Sequence, residues 1–562
     1  MDFRLANVVV IAVAALMGVG CMADAAPAEE SKTAALDAKS QPPSSSAQIV
    51  NPYARVDWDK VEHLHSVSHT HSDHPSDPQR LWDMGIGHLP ISNYYPSRPF
   101  YPLPDAFVKK QPTALGAPNA EHHSMTNSSV HFCSPGSFYS TGYGQTPHIE
   151  AGKAPIEHVF SGLNVFDAKK SPWLGIYRLE LRMEAPAGSD RGPTASLTIE
   201  GAVEVNPRTF ASRGDGVVRG RRLAAKSKKR IFLKANSDAV RVRLDFYPAS
   251  TQITWLRLGQ GTNRPWRDAF RATLDGTLKD AEGRPVEGLL FPDGGGITIN
   301  HPRLSLLSIL AMLDFDPRVL GIEVWNQHFG FDGPRMRFYK SWDDVLRTGR
   351  RCFGFFVKDH AVHGRGRNVL LVSWPSSATR MEREHEALRA YREGRFFGLL
   401  GALTTDESGK VVTPYDKSDF RFTRIAVKED QTGRPVGVEA SVAGADQSKR
   451  PNTQIRFVTD AGAAHVVNGD RAYFEFPRDA AGNILCRYVR VEAFAYPNTH
   501  LGGKPLTAEA ITAMNVHEIS RIHDQLGHFE MSHLDPAGQA PIPIVDMIFS
   551  QPILVRASQS AL

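Results

Sequence analysis

Five histidines fall within a dozen residues of this chain: His63, His65, His69, His71 and His74. Four of them occupy odd positions. In an extended strand those four side chains share one face, because successive side chains alternate. A core-facing strand surface is rarely built from imidazoles. A metal centre uses them, since neutral imidazole is a common ligand for divalent transition metals. A solvated, His-rich loop would explain the cluster equally well on its own. Matching groups far downstream favour the metal.

Four further segments supply them. Glu121 stands in Asn119-Ala120-Glu121-His122-His123, and His131 follows ten residues later, just before Cys133. His301 closes the run Gly296-Ile297-Thr298-Ile299-Asn300-His301. Asp359 follows Phe353-Gly354-Phe355-Phe356-Val357-Lys358. His301 and Asp359 each come just after an apolar stretch that reads as a strand. In a barrel of parallel strands, the strand C-termini are where ligands converge.

This order resembles the PHP superfamily (polymerase and histidinol phosphatase), metal-dependent phosphoesterases built on a distorted β/α barrel. The resemblance spans residues 56–400, and residues 321–326 and 342–349 also share in it. It implies that His69, His71, Glu121 and Asp359 hold one metal ion. It further implies that Glu121 bridges to a second ion held by His131 and His301. His63 and His65 form a competing pair, placed upstream in the strand. Where the family has Thr-Asp-His, this chain has Ser92-Asn93-Tyr94. Where the family has Asp-x-His, it has Asp359-His360-Ala361. The two missing histidines serve one and the same third ion, so about two divalent ions (zinc, manganese or iron) are expected. A third site rebuilt from His74, Asp77, His360 or His363 is the alternative. Tyr94 is expected to hydrogen-bond the substrate in place of the missing histidine. Arg365 and Arg367 are expected to neutralise a substrate phosphate, with a solvated basic loop equally compatible.

The elements that must position these groups follow from periodicity and turn residues. Residues 51–166 and 259–402 alternate short strands with helices and read as two parts of one PHP-type β/α barrel. Residues 167–258 are alternating strands separated by turns, a β-sandwich-like insert. Within it, residues 213–230 are a basic run, read as a solvated loop. Residues 403–562 return to strands and form a C-terminal β-sandwich-like domain. The expected fold class is therefore α/β, a barrel interrupted by one β module and followed by another.

The chain has 562 residues and a net charge of +5, too small a charge at this length for a nucleic-acid binder. Arg4 precedes the apolar run 8–20 and Cys21 follows it. That run is too short to span a bilayer and suits a secretory signal. Export is expected, either with a lipid anchor at Cys21 or with cleavage a few residues later, and membrane contact only through such an anchor. Residues 22–50 read as a disordered tether. Cys133, Cys352 and Cys486 are isolated and make neither a disulfide framework nor a CxxC zinc site. His517 and His523 stand six apart and do not share a helix face.

Two functions compete. One is an exported metal-dependent hydrolase that uses a two-metal-activated water on a phosphate-ester small molecule or a glycan-linked substrate. The other is a non-catalytic surface protein whose β modules bind carbohydrate or a partner. The six retained ligands favour the first, and the Ser92–Tyr94 departure favours the second.

Overall fold

The computed structural model describes residues 48–72, 77–92, 101–124, 130–137, 144–145, 156–161, 163, 165–166, 175–184, 193–206, 211–224, 228–246, 252–260, 266–275, 294–326, 336–359, 366–401, 418–448, 450–496, 500–501, 504–505, 508–513 and 546–556. The signal segment, residues 22–47 of the expected tether and residues Tyr94, His74, His360, Ala361, His363 and Arg365 lie outside them. The last three residues of that expected tether are not disordered: Gln48–Val50 is a strand paired antiparallel with Leu554–Arg556.

Three buried strands build the platform of the ligand cluster. Ile297–Asn300, Val319–Asn326 and Phe353–Val357 are buried along their whole lengths. Near-continuous apolar strands of this kind are covered on both faces and pair in parallel. They do so here, with Val319–Asn326 between the other two. Helix Leu306–Leu313 connects the first pair, its start capped by the Ser305 hydroxyl accepting from the Ser308 N–H at 3.2 Å. Helix Tyr339–Arg347 connects the second pair. Val130–Cys133 adds antiparallel to Ile297–Asn300, and Glu121–Ser124 adds antiparallel to Val130–Cys133.

The expected β/α barrel does not form. The described strands make six sheets, none of them closed, and the fold is mostly β. The physical reason is visible at Phe353–Val357. A barrel would pair its free edge with the next strand in parallel. Instead that edge is satisfied by side chains. The Gln551 amide accepts from the Gly354 N–H at 2.7 Å and donates to the Gly354 carbonyl at 3.0 Å. The Asn368 side chain accepts from the Phe356 N–H at 3.0 Å. The next strand, Gly366–Val372, runs antiparallel to both of its neighbours, Glu62–Ser66 and Phe396–Leu400.

The C-terminal strands are not a separate sandwich either. Asp546–Ser550 pairs with Phe396–Leu400, and Tyr488–Tyr496 pairs with Asp546–Ser550. An eleven-stranded sheet therefore runs from Leu115–Gly116 through Glu62–Ser66 to the last strands of the chain. Its two faces bury two cores. One joins Ile299, Ile322, Trp325 and Trp342 to Phe494 and Phe549. The other joins Val369 and Phe397 to Ile455, Val491 and Phe474. Arg421–Glu429, Pro435–Ala443 and Arg471–Glu475 form a small sheet of their own, and His500–Leu501 pairs with Lys504–Pro505 in another.

The insert is an antiparallel pair of sheets of five and four strands with its own core. That core comes from residues 160–258, with Ile156 packed on its edge. Its strands start at Gly144–Gln145 and Ile156–Phe160, upstream of residue 167. The basic run is largely strand rather than loop, as Val218–Ala224 and Lys228–Ala235. Val218, Leu223, Ile231 and Leu233 are buried there. Alternation buries these apolar residues and leaves most of the cations outward, so a charged stretch can still be a strand.

Candidate metal centre

The strand that opens the site ends at Ser66, so it carries only His63 and His65. Neither reaches the cluster. The His63 ring meets the Phe422 carbonyl at 3.0 Å, and His65 meets Arg367 at 3.2 Å. His69 and His71 lie beyond the strand. They flank Thr70, which forms a parallel bridge with Asp359. The His71 N–H donates to the Asp359 carbonyl, and the Asp359 N–H to the His69 carbonyl, both at 3.0 Å. This short ladder keeps the segment extended, which puts both imidazoles on one side. Ser92 fastens it from behind: its hydroxyl accepts from the Thr70 N–H at 3.0 Å, and its carbonyl accepts from the Glu121 N–H at 3.3 Å.

Four ligand atoms then meet. His69 Nε2 and His71 Nε2 are 3.2 Å apart. Glu121 Oε2 stands 3.5 Å from the first and 3.1 Å from the second. Asp359 Oδ1 stands 3.4 Å from each. All four residues are buried. A regular tetrahedron with edges of that length has its centre about 2.0 Å from every corner, which is the bond length of zinc to imidazole nitrogen or carboxylate oxygen. The donor set therefore fits a metal ion, and this group could hold one.

The other oxygen of Glu121 faces a second group. Glu121 Oε1 lies 3.1 Å from His131 Nδ1 and 3.2 Å from His301 Nε2. Strand register brings them together. Glu121 pairs with Cys133, two positions from His131 and therefore on the same face of the sheet as it, and His131 pairs with Asn300, the residue before His301. This group is more open than the first: the side chains of His131 and His301 are 27% and 13% exposed, against 0–4% for the first four residues.

Glu323 organises both groups and was not among the expected residues. It is fully buried. Its Oε1 takes His69 Nδ1 at 2.6 Å, which leaves Nε2 to face the ligand cluster. Its Oε2 accepts from the His301 N–H at 2.6 Å and from the Asn326 amide at 2.8 Å. The Asn326 amide also donates to Asp359 Oδ2 at 3.0 Å, leaving Oδ1 for the cluster. A carboxylate behind a ligating histidine fixes its tautomer and raises its basicity. One signal in the sequence pointed to Glu323: a lone carboxylate in an otherwise apolar, buried strand needs buried partners.

Backbone strain marks the same place. Among the described residues, His301 (φ 27°) and Asp359 (φ 52°) are the non-glycine residues with positive φ. Such conformations cost free energy and concentrate at functional sites. Each residue follows directly on, or one residue beyond, a parallel strand, where the chain must turn sharply to aim a ligand inward.

The electrostatics agree. Burial works against a charged ring at His69, yet the Asp359, Glu121 and Glu323 carboxylates outweigh it and hold its pKa well above the ordinary imidazole value. Burial likewise opposes charge at His71 and His301, and carboxylates again prevail, Asp359 and Glu121 at the first and chiefly Glu121 at the second. Such a cage of carboxylates attracts positive charge, proton or metal. Burial pushes the Cys133 thiol up to about 12, so it supplies no thiolate.

Of the expected residues, His69, His71, Glu121, His131, His301 and Asp359 come together. Arg367 is fully buried elsewhere, and its guanidinium donates to the Met84 carbonyl at 3.3 Å and meets His65. Tyr94 and Arg365 lie outside the described residues. Asp77 is buried and accepts from the Ser72 hydroxyl at 3.4 Å.

Comparison with protein-family models and with curated proteins found no match. Among solved structures, a β-glucosidase from Kluyveromyces marxianus in complex with glucose is similar at 10% identity and a TM-score of 0.15, over 67% of this chain and 44% of that one. The chain thus spans less than half of that protein, and so slight a likeness carries no argument. Site and fold together define a mostly β protein with a buried His/Glu/Asp cluster able to hold metal.

Proposed function

We propose that the chain is an exported metal-dependent hydrolase of phosphate esters, working with about two divalent ions. The observation that supports this most is the division of Glu121: one oxygen faces His69, His71 and Asp359, the other faces His131 and His301. His69, His71, Glu121 and Asp359 would hold one ion, and Glu121, His131 and His301 the other. Imidazole and carboxylate donors suit zinc, manganese or iron. Paired ions of this kind supply a hydroxide nucleophile at neutral pH and stabilise charge on a phosphoryl oxygen.

The chain's own residues supply the rest. Glu323 and Asn326 hold His69, His301 and Asp359 in orientation. The second group keeps fewer protein ligands and more exposure, as a catalytic position does when it leaves room for water or substrate. Asn300 donates to Glu121 Oε1 at 3.4 Å and steadies the bridging carboxylate. The order of ligands along the chain, which resembles that of PHP phosphoesterases, supports a phosphate ester as substrate. The apolar run at residues 8–20 before Cys21 supports export, and among the described residues no helix is long and apolar enough to cross a membrane.

Metal content by mass spectrometry, with hydrolysis of a generic phosphodiester and phosphomonoester, tests the reading. The expected result is about two ions per chain and turnover of one ester that is lost on chelation and in His71→Ala. Metal-loaded protein that cleaves neither ester would reject the hydrolase reading while leaving the metal site intact.

A further inference from the structure

The small three-stranded sheet presents a second candidate site, on the side away from its core. Along Arg471–Glu475 the burial alternates, with Ala472 and Phe474 inward and Arg471, Tyr473 and Glu475 outward. Tyr473 is 43% exposed, an unusual place for an aromatic ring. Its ring lies down on the sheet. A Cβ added at Gly437, on the neighbouring strand, would stand 2.6 Å from Tyr473 Oη and 2.7 Å from Cζ. Glycine is what lets the ring lie there, with its other face turned outward.

Charge surrounds the ring. Lys428, Glu439, Arg471, Ala472 and Tyr473 line an open groove of about 470 Å³, within the range of small-molecule sites, roughly 300–1,000 Å³. Both Glu439 oxygens are engaged, by Lys428 at 2.5 Å and by Arg424 at 3.4 Å. Arg471 makes no ion pair among the described residues. Glu475 sits further along the strand, opposite Gly437.

We propose that this face binds an acidic saccharide chain. The C–H face of a sugar ring stacks on Tyr473, and its carboxylate pairs with Arg471. A flat aromatic surface recognises the apolar face of a pyranose, and a guanidinium matches a carboxylate with two parallel hydrogen bonds. Lys428 and Arg424 keep the groove cationic while Glu439 holds them in place. A simple polyanion would use the charges and not the ring, and a neutral sugar would use the ring and not Arg471.

The test titrates the full chain, in chelator so that the metal cluster plays no part, with trigalacturonate, maltotriose and inorganic triphosphate. Trigalacturonate should bind, and maltotriose should bind far more weakly. Tyr473→Ala and Arg471→Ala should each weaken trigalacturonate by about tenfold or more, a loss of one anchor contact. Tyr473→Phe, which keeps the stacking face, should retain it. Absence of trigalacturonate binding would overturn the proposal. So would triphosphate binding of equal strength that Tyr473→Ala leaves unchanged, since that is charge attraction alone.

Discussion

Glu121 has two oxygens and turns one to each histidine group, so its removal acts on both at once. Glu121→Ala should lower metal content from about two ions to below one, measured by mass spectrometry on purified protein. Full occupancy in that variant would reject the shared-carboxylate arrangement. Glu323 acts from behind. It touches no position where an ion would sit, yet it sets the His69 tautomer and holds the His301 backbone. Glu323→Gln keeps the shape and loses the charge. A roughly 10–100-fold drop in metal affinity is expected, the usual cost of losing such a partner, read by competition with a chromophoric chelator. Unchanged affinity would reduce Glu323 to a packing residue.

The pH response has a definite sign. His69, His71 and His301 titrate above the ordinary imidazole value in the metal-free fold. A group with a raised folded pKa contributes stability that is fully present below the unfolded value of about 6.5 and is lost as pH rises through the folded value. Metal binding requires the neutral rings, so its pH dependence runs the other way. The melting temperature of chelator-treated protein should fall from about pH 6.5 upward, while the increment added by metal grows. An increment that shrinks with rising pH would contradict imidazole ligation.

At the scale of elements, the ligands depend on how closely two parallel strands approach. Gly321 lies on Val319–Asn326 against Phe353, and an added Cβ would stand 2.5 Å from the Phe353 nitrogen. The first strand holds Glu323 and the second leads to Asp359. Gly321→Ala should therefore cost about 1–3 kcal/mol by overpacking and weaken metal binding as well. Thr379→Ala is the control. It removes the capping box at the exposed start of helix Arg380–Glu393, where the Thr379 hydroxyl bonds Glu382 and no ligand residue, and should cost about 1 kcal/mol with metal affinity unchanged. Denaturation midpoints and chelator competition on both variants separate the two effects. Equal metal affinity in Gly321→Ala would show that the strand spacing does not set the site.

At the scale of the whole molecule, the ends of the chain complete its middle. Asp546–Ser550 pairs with Phe396–Leu400, and Gln551 satisfies the open edge of the strand before Asp359. A chain cut after residue 402 would bare that edge and remove Phe494 and Phe549 from the core that contains Trp325 and Trp342. It should fail to give a soluble, metal-binding domain, as judged by circular dichroism and metal content. A folded, metal-loaded fragment would show that the C-terminal strands are an appendage after all.

Residue types and their order along the chain already singled out His69, His71, Glu121, His131, His301 and Asp359, because few contexts besides metal binding need imidazoles and carboxylates after apolar strands. Strand periodicity also marked the β insert, since alternation is a local property. Three matters lay beyond local signals. The partners of Glu323 and Asn326 are His69, 254 residues from Glu323, and His301 and Asp359, which follow the two strands beside theirs. His69 and His71 are held by a bridge to Asp359 rather than by the strand that precedes them. The closure of a barrel depends on which edges meet, and here the side chains of Asn368 and Gln551 occupy the edge that a further parallel strand would have taken. Composition and periodicity report what each segment can bury. Which strand pairs with which is decided by long-range hydrogen bonding and packing, and only the tertiary structure contains that.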